Sequence, residues 1–217
     1  MPVSKVEKAS LTDQVYRRLK DMIVYGELQA GEPLHAGNLA EQFQTSKTPI
    51  RDAINILNHE GLVEIIPYKG CLVSQVNLKD LDELISLRLI LEGGAAELAA
   101  SYASRQAIDK LELLAGAEIP PLSGISEVDY MRLNFDFHAA VAEASNNGRL
   151  KKLIINNLDN MQRVLYLDMK IGSTNTMNDE HREIVEMIKN KDPQAARRRM
   201  IEHILGTRNR IFSSHHT

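Results

Sequence analysis

The chain has no tryptophan and only 5% aromatic residues, too few ring faces for the stacking platforms that grip single-stranded nucleic acid. Its single cysteine, Cys71, excludes an internal disulfide, so the fold must be held by its core. No apolar run approaches the roughly 20 residues of a membrane span. The opening MPVSKVEKAS also lacks the apolar stretch of a signal peptide, and a soluble, cytoplasmic protein is expected. There is no excess of positive charge, since 26 Lys and Arg stand against 29 Asp and Glu. Any surface for a polyanion must therefore be local. HExxH, a phosphate-binding glycine loop and a recognisable nucleophile–base pair are absent too, which removes the usual signatures of an enzyme.

What is present suffices for two domains: 217 residues, 43% of them apolar, can bury a proper core. The texture changes near Ser74 to Leu78. Before it, short helical patterns lead into the alternating stretch Val63 to Val73, which predicts two short strands around a turn at Pro67 to Gly70. After it, apolar spacing predicts helices at about 78–103, 105–116, 126–145, 148–170, 176–190 and 193–212. The breaks fall at Pro120-Pro121, Asn146-Asn147-Gly148, Gly172 and Pro193. The expected fold is mainly α: a small α+β head followed by an all-α six-helix bundle.

Three helices fit the head: Leu11 to Tyr25 with Val15, Leu19, Met22 and Ile23 inward, a short one near Asn38 to Phe43, and Thr48 to Glu60 closed by Gly61. Ser46 is the expected N-cap of the third, and Pro49 lies in its first turn, where a missing N–H does no harm. Ile50, Ala53, Ile54 and Leu57 form its buried stripe, which leaves Lys47, Thr48, Arg51, Asp52 and Asn55 facing outward. Such a face suits duplex DNA: Ser46, Thr48 and the helix N-terminus can bond phosphate, while Lys and Arg reach guanine edges. Tyr68, Lys69 and Gly70, at the tip of the strand pair, could follow the adjacent minor groove or backbone. The plainer reading is a helical subdomain whose charges are merely solvated.

Four polar side chains interrupt the apolar faces of the bundle and need partners, because burying one alone is unfavourable. Asn134 and His138 stand i, i+4 on one helix face between Met131 and Val141. His181 shares a side with Ile184, Val185 and Ile188, and His203 lies among Ala196, Met200 and Thr207. Asp136 points to the opposite side of its helix. Singly, each histidine reads as a satisfied core residue. Together, three imidazoles and a side-chain oxygen suit Zn²⁺, Ni²⁺ or a similar divalent ion. Arg88 shares a face with Leu81, Ile85, Ala95 and Ala99 and has Glu92 one turn on. It can form a helix ion pair or clamp a carboxylate. A metalloenzyme remains the rival reading, since three histidines and an open coordination position can activate water.

The head resembles the DNA-binding domain of GntR-family regulators through Leu39-Ala40-Glu41-Gln42-Phe43-Gln44-Thr45-Ser46-Lys47-Thr48-Pro49-Ile50-Arg51-Asp52-Ala53-Ile54, then Leu57, Glu60-Gly61-Leu62-Val63 and Lys69-Gly70. The bundle resembles the FCD effector-binding domain of the FadR-type branch, in its six-helix, VanR-like form. That likeness runs through Asn134-Phe135-Asp136-Phe137-His138, Glu180-His181-Arg182-Glu183-Ile184, Asp192 with Ala195-Ala196-Arg197, and His203. The resemblance implies a transcriptional regulator, not an enzyme, with a winged helix-turn-helix over 1–76 (1–9 a flexible arm) and an effector-binding and dimerisation domain over 77–217. It implies DNA contacts from Ser46, Lys47, Thr48, Arg51, Asn55, Tyr68, Lys69 and Gly70, and a metal held by Asn134, His138, His181 and His203. It further implies Arg88 facing a small carboxylate effector, and a homodimer on a short palindromic operator.

Overall fold

Ser10 and Asp13 close a reciprocal cap at the start of α1 (Leu11–Val24), the Asp13 N–H donating to Ser10 Oγ at 3.1 Å and the Ser10 N–H to Asp13 Oδ2 at 3.0 Å. This computed structural model describes residues 10–68, 70–75, 78–116, 127–169 and 177–214. The arm at 1–9, Lys69, the breaks at Pro120-Pro121 and Gly172, and the last two histidines lie outside the described residues. The chain divides into two units, Met1–Val76 and Asn77–Thr217.

In the first unit α1 turns Val15, Leu19, Met22 and Ile23 inward against Ile50, Ala53, Ile54 and Leu57 of α3 (Lys47–His59). The short α2 (Ala36–Gln42) adds Leu39 and Ala40 to that core. An antiparallel sheet completes it in the order β1 (Pro33–Leu34), β3 (Gly70–Val73), β2 (Val63–Ile66). Ile65 pairs with Cys71 and Ile66 with Gly70, so β2 and β3 form the expected hairpin. β1 was not foreseen: two residues are too few to show an alternation. Ser46 does hold the N-cap position of α3, but its hydroxyl makes no capping bond and is exposed.

Both helices of the helix-turn-helix end in the same hydrogen-bond pattern. After α3, the Leu62 N–H reaches Leu57 O at 3.0 Å and Gly61 takes φ 80°. After α2, the Thr45 N–H reaches Ala40 O at 2.9 Å and the Gln44 N–H reaches Glu41 O at 3.1 Å, with Gln44 at φ 50°. Glycine suits this left-handed position and glutamine is strained there. Gln44→Gly is therefore expected to stabilise the head by about 0.5 kcal/mol, the relief of strain outweighing the added freedom of the unfolded chain. Urea denaturation checks it through a raised midpoint at unchanged slope.

Every element of the second unit among its described residues is a helix: α4 (Leu78–Tyr102), α5 (Arg105–Gly116), α6 (Glu127–Ala144), α7 (Gly148–Met169), α8 (Met177–Lys189) and α9 (Pro193–Ser214). Side chains set the starts. Asn147 Oδ1 accepts from the N–H groups of Arg149 and Leu150 before α7, and Asp192 Oδ1 accepts from the Ala195 N–H before α9. The core runs from Leu81 and Ile85 of α4 through Phe137 and Val141 of α6 to Ile184, Ile188, Met200 and Ile204 of α8 and α9. α4 and α9 approach closely at Gly93, where an added Cβ would stand 3.2 Å from Ile201 Cγ1. No helix among the described residues is long and apolar enough to cross a membrane.

Candidate metal centre and DNA-contact face

α6, α8 and α9 each turn one histidine into the core of the second unit, because Met131 and Val141, Ile184 and Ile188, and Met200 and Ile204 fix which face of each helix is inward. His138, His181 and His203 are all buried, and one ring nitrogen of each lies within 4.8 Å of the others. His138 Nε2 and His203 Nε2 are 3.3 Å apart. His181 stacks on Phe137 with ring centres 3.9 Å apart, and its Nε2 is buried with no hydrogen-bond partner. One turn before His138, the side-chain oxygen of Asn134 is buried and equally unpartnered. Asp136 is exposed, as its register requires.

Burial pushes all three histidines below their ordinary values: His138 is lowered, His181 is well below, and His203 is brought down to about 4. Neutral rings have lone pairs to give. Three such donors suit a divalent ion of borderline softness, and the stranded Asn134 oxygen, one turn before His138, is a neutral donor as well. Each unpartnered acceptor would otherwise be left desolvated.

Around the histidines lies a ring of charge that sequence spacing did not reveal. Glu92 Oε2 stands 2.6 Å from His138 Nδ1, close in distance but off hydrogen-bond alignment. Glu92 Oε1 accepts from Arg88 Nε at 2.5 Å. Arg88, 2% exposed, also brings Nη2 to 3.3 Å from His138 Nε2. Of its two readings Arg88 shows the helix ion pair with Glu92, and the same guanidinium stands at the histidine centre. Burial alone would raise the Glu92 carboxyl, but the Arg88 guanidinium and then His138 prevail and hold it well below the usual carboxylate range. On the far side, Glu180 Oε2 lies 2.6 Å from His203 Nδ1 and Glu180 Oε1 takes a 3.3 Å bond from Arg210 Nη1. Burial raises the Glu180 carboxyl, but the bond and charge of His203 together with those of Arg210 outweigh it and hold the group below its ordinary value. Glu92 was visible as an acid on an apolar face; Glu180, beside His181 in sequence, gave no signal of reaching His203.

The outward face of α3 carries Lys47, Thr48, Arg51, Asp52 and Asn55, all exposed, with exposed Ser46 just before it. Among the described residues neither Lys47 nor Arg51 has an ion-pair partner. At the hairpin tip Tyr68 is fully exposed and takes φ 65°, and Gly70 takes φ 101°. A bulky residue in the left-handed region is strained, and full exposure gives it nothing to pack on.

Comparison with known proteins accounts for both units. Residues 11–73 match the bacterial regulatory proteins of the gntR family, and residues 83–206 match the FCD domain. The HTH-type transcriptional regulator YdhC of Bacillus subtilis is 32% identical over 193 residues, which span 88% of this chain and 86% of that protein. The HTH-type transcriptional regulator LutR of the same organism is 28% identical, spanning 84% of this chain and 93% of its own length. Among solved structures, E. coli McbR/YncC superposes with a TM-score of 0.78 at 23% identity, over 96% of this chain and 100% of that one. A GntR regulator of Rhodococcus sp. RHA1 does so with a TM-score of 0.73 at 18% identity, over 93% and 97%. At those identities the two structures bear on the fold alone.

Proposed function

The chain belongs to the GntR family of bacterial regulatory proteins, as a DNA-binding transcriptional regulator with an FCD domain and not an enzyme, and from that premise we propose that it senses a small organic acid at a metal centre. The observation that carries the reading is the convergence of three buried histidines within 4.8 Å. Asn134, His138, His181 and His203 would hold Zn²⁺ or Ni²⁺. When bound, the ion supplies a positive charge and open positions for carboxylate oxygens. The four ligands are neutral and leave that charge uncancelled, so an anion is the natural partner, with the guanidinium of Arg88 beside it to fix its orientation. Native mass spectrometry of the purified protein is the test. The expected species is a dimer carrying one divalent ion per chain, and a chain that stays at its bare mass in the presence of Zn²⁺ and Ni²⁺ overturns the reading.

Ser46, Lys47, Thr48, Arg51, Asn55, Tyr68, Lys69 and Gly70 are the proposed DNA contacts, in the cytoplasm where the operator lies. Strain at an exposed Tyr68 supports this, because stability alone would not place tyrosine there. Arg51→Ala is expected to weaken specific binding by about 1–3 kcal/mol, as loss of a base-edge contact does. Tyr68→Gly should weaken DNA binding while raising the melting temperature. Operator isotherms and thermal melts on the same two variants check both signs, and unchanged affinity for Arg51→Ala removes α3 as the reading helix.

A homodimer on a short palindrome completes the proposal, since one small head buries too little surface for a tight, specific grip. α4 leaves Leu87 and Ile90 exposed, and α7, which packs on it, leaves Leu153 exposed, apolar side chains that a second copy would cover. Ile90→Asp is expected to shift sedimentation from dimer toward monomer and to cost at least tenfold in operator affinity, about 1.4 kcal/mol. A wild-type protein that sediments as a monomer on and off DNA excludes the dimer.

A further inference from the structure

We propose that Glu92 and Glu180 are positioning residues of this centre: each sets the tautomer and ring orientation of one histidine, so that His138 and His203 both present Nε2 to the ion. The inference rests on the metal reading above and goes beyond it, since neither glutamate belongs to the ligand set.

A neutral imidazole carries its proton on either nitrogen, and the partner of one nitrogen decides what the other can do. A carboxylate only accepts, so a carboxylate at Nδ1 draws the proton there and leaves a lone pair on Nε2. The arrangement occurs twice. Glu92 Oε2 is 2.6 Å from His138 Nδ1, within reach though off hydrogen-bond alignment, and Glu180 Oε2 is 2.6 Å from His203 Nδ1 and aligned with it. In both, the other carboxylate oxygen is held by an arginine: Glu92 Oε1 by Arg88 Nε at 2.5 Å, and Glu180 Oε1 by Arg210 Nη1 at 3.3 Å. The far side of the His138 ring agrees. His138 Nε2 receives Arg88 Nη2, a group that can only donate, at 3.3 Å, so it must offer a lone pair. The two Nε2 atoms lie 3.3 Å apart, too near for both to carry protons. His181 differs, because it is held by stacking on Phe137 and has no carboxylate at either nitrogen among the described residues. It is the internal control.

The test uses full-length protein with ring-¹⁵N-labelled histidine, stripped of metal and then titrated with Zn²⁺ against a chromophoric chelator. Glu180 is the first target because its side chain is 30% exposed. Glu180→Ala is expected to weaken Zn²⁺ binding by about 10- to 100-fold. Glu180→Gln, whose amide oxygen still accepts from Nδ1, should lose less. In the stripped protein the ¹⁵N spectrum should show His203 leaving the Nδ1–H form in Glu180→Ala only, with His138 and His181 unmoved. For the fully buried Glu92 the isosteric Glu92→Gln is used, with a smaller loss expected in the same direction. Zn²⁺ affinity within about twofold of wild type in Glu180→Ala, with or without a lower melting temperature, overturns the positioning role and leaves the metal reading standing. A wild-type protein that takes up no Zn²⁺ overturns both.

Discussion

Metal-stripped protein, and the variants His138→Ala and His203→Ala, are expected to lose the acid-induced change in operator affinity while keeping their basal affinity for DNA. The separation follows from the architecture. The proposed DNA-contact residues stand on a unit whose core, from Val15 and Leu19 to Leu57 and Val73, includes no residue of the histidine centre. What links the two is a coupling free energy, typically about 1–3 kcal/mol, which would change operator affinity by about 5- to 150-fold. Reciprocity then requires operator DNA to change the affinity for the acid by the same factor. Truncating a histidine that is 1% exposed, as His138 is, also leaves a hole in the second unit. Stripped wild-type protein, with its packing intact, is therefore the companion to the variants. The measurement is an operator isotherm with loaded, stripped and His138→Ala protein, each with and without a panel of small carboxylates. An acid that shifts all three equally shows that the centre plays no part in sensing.

The features that could be read from sequence were those carried by one helix or one turn at a time. Asn147 and Asp192 mark the starts of α7 and α9 because a short polar side chain there can bond the first free N–H groups of its own helix. The inward register of His138, His181 and His203 follows from their apolar neighbours on the same helices, and the structure brings the three rings together. Contacts made across space were not legible. Glu180 meets a histidine 23 residues further on, and Arg88 one 50 residues further on. Nothing periodic connects such positions, so the contacts of Glu92 with His138 and of Glu180 with His203 were missed. The strand β1 escaped for a different reason, being defined only by its pairing of Leu34 with Cys71.

Arg88→Met is expected to destabilise the second unit by about 3–5 kcal/mol, because it removes one partner of a buried ion pair and leaves the other charge without compensation. Arg88 and Glu92 have side chains 2% and 3% exposed, so water cannot take over the lost role. With domain stabilities of about 5–15 kcal/mol, this is a large share. The melting temperature should fall by on the order of 10 °C. The double variant Arg88→Met with Glu92→Met should recover most of the loss, since well-packed apolar residues often replace a buried pair at no net cost. Thermal melts of stripped wild type, both single variants and the double variant give the coupling through a mutant cycle. A single-variant loss below about 1 kcal/mol would mean that the pair is not buried in solution. The double variant carries a further consequence for sensing. If an apolar pair serves the fold as well, the guanidinium at the histidine centre is explained by what it binds. Its Nε is committed to Glu92, while Nη2 faces His138 Nε2 at 3.3 Å, so an arriving carboxylate would share the same fork. The double variant should therefore be stable and bind operator DNA, take up Zn²⁺ more weakly than wild type because Glu92 no longer stands at His138, and at saturating Zn²⁺ leave its isotherm unmoved by acid. A double variant that still responds to acid as wild type does would remove Arg88 from the effector site and leave it a purely structural partner of Glu92.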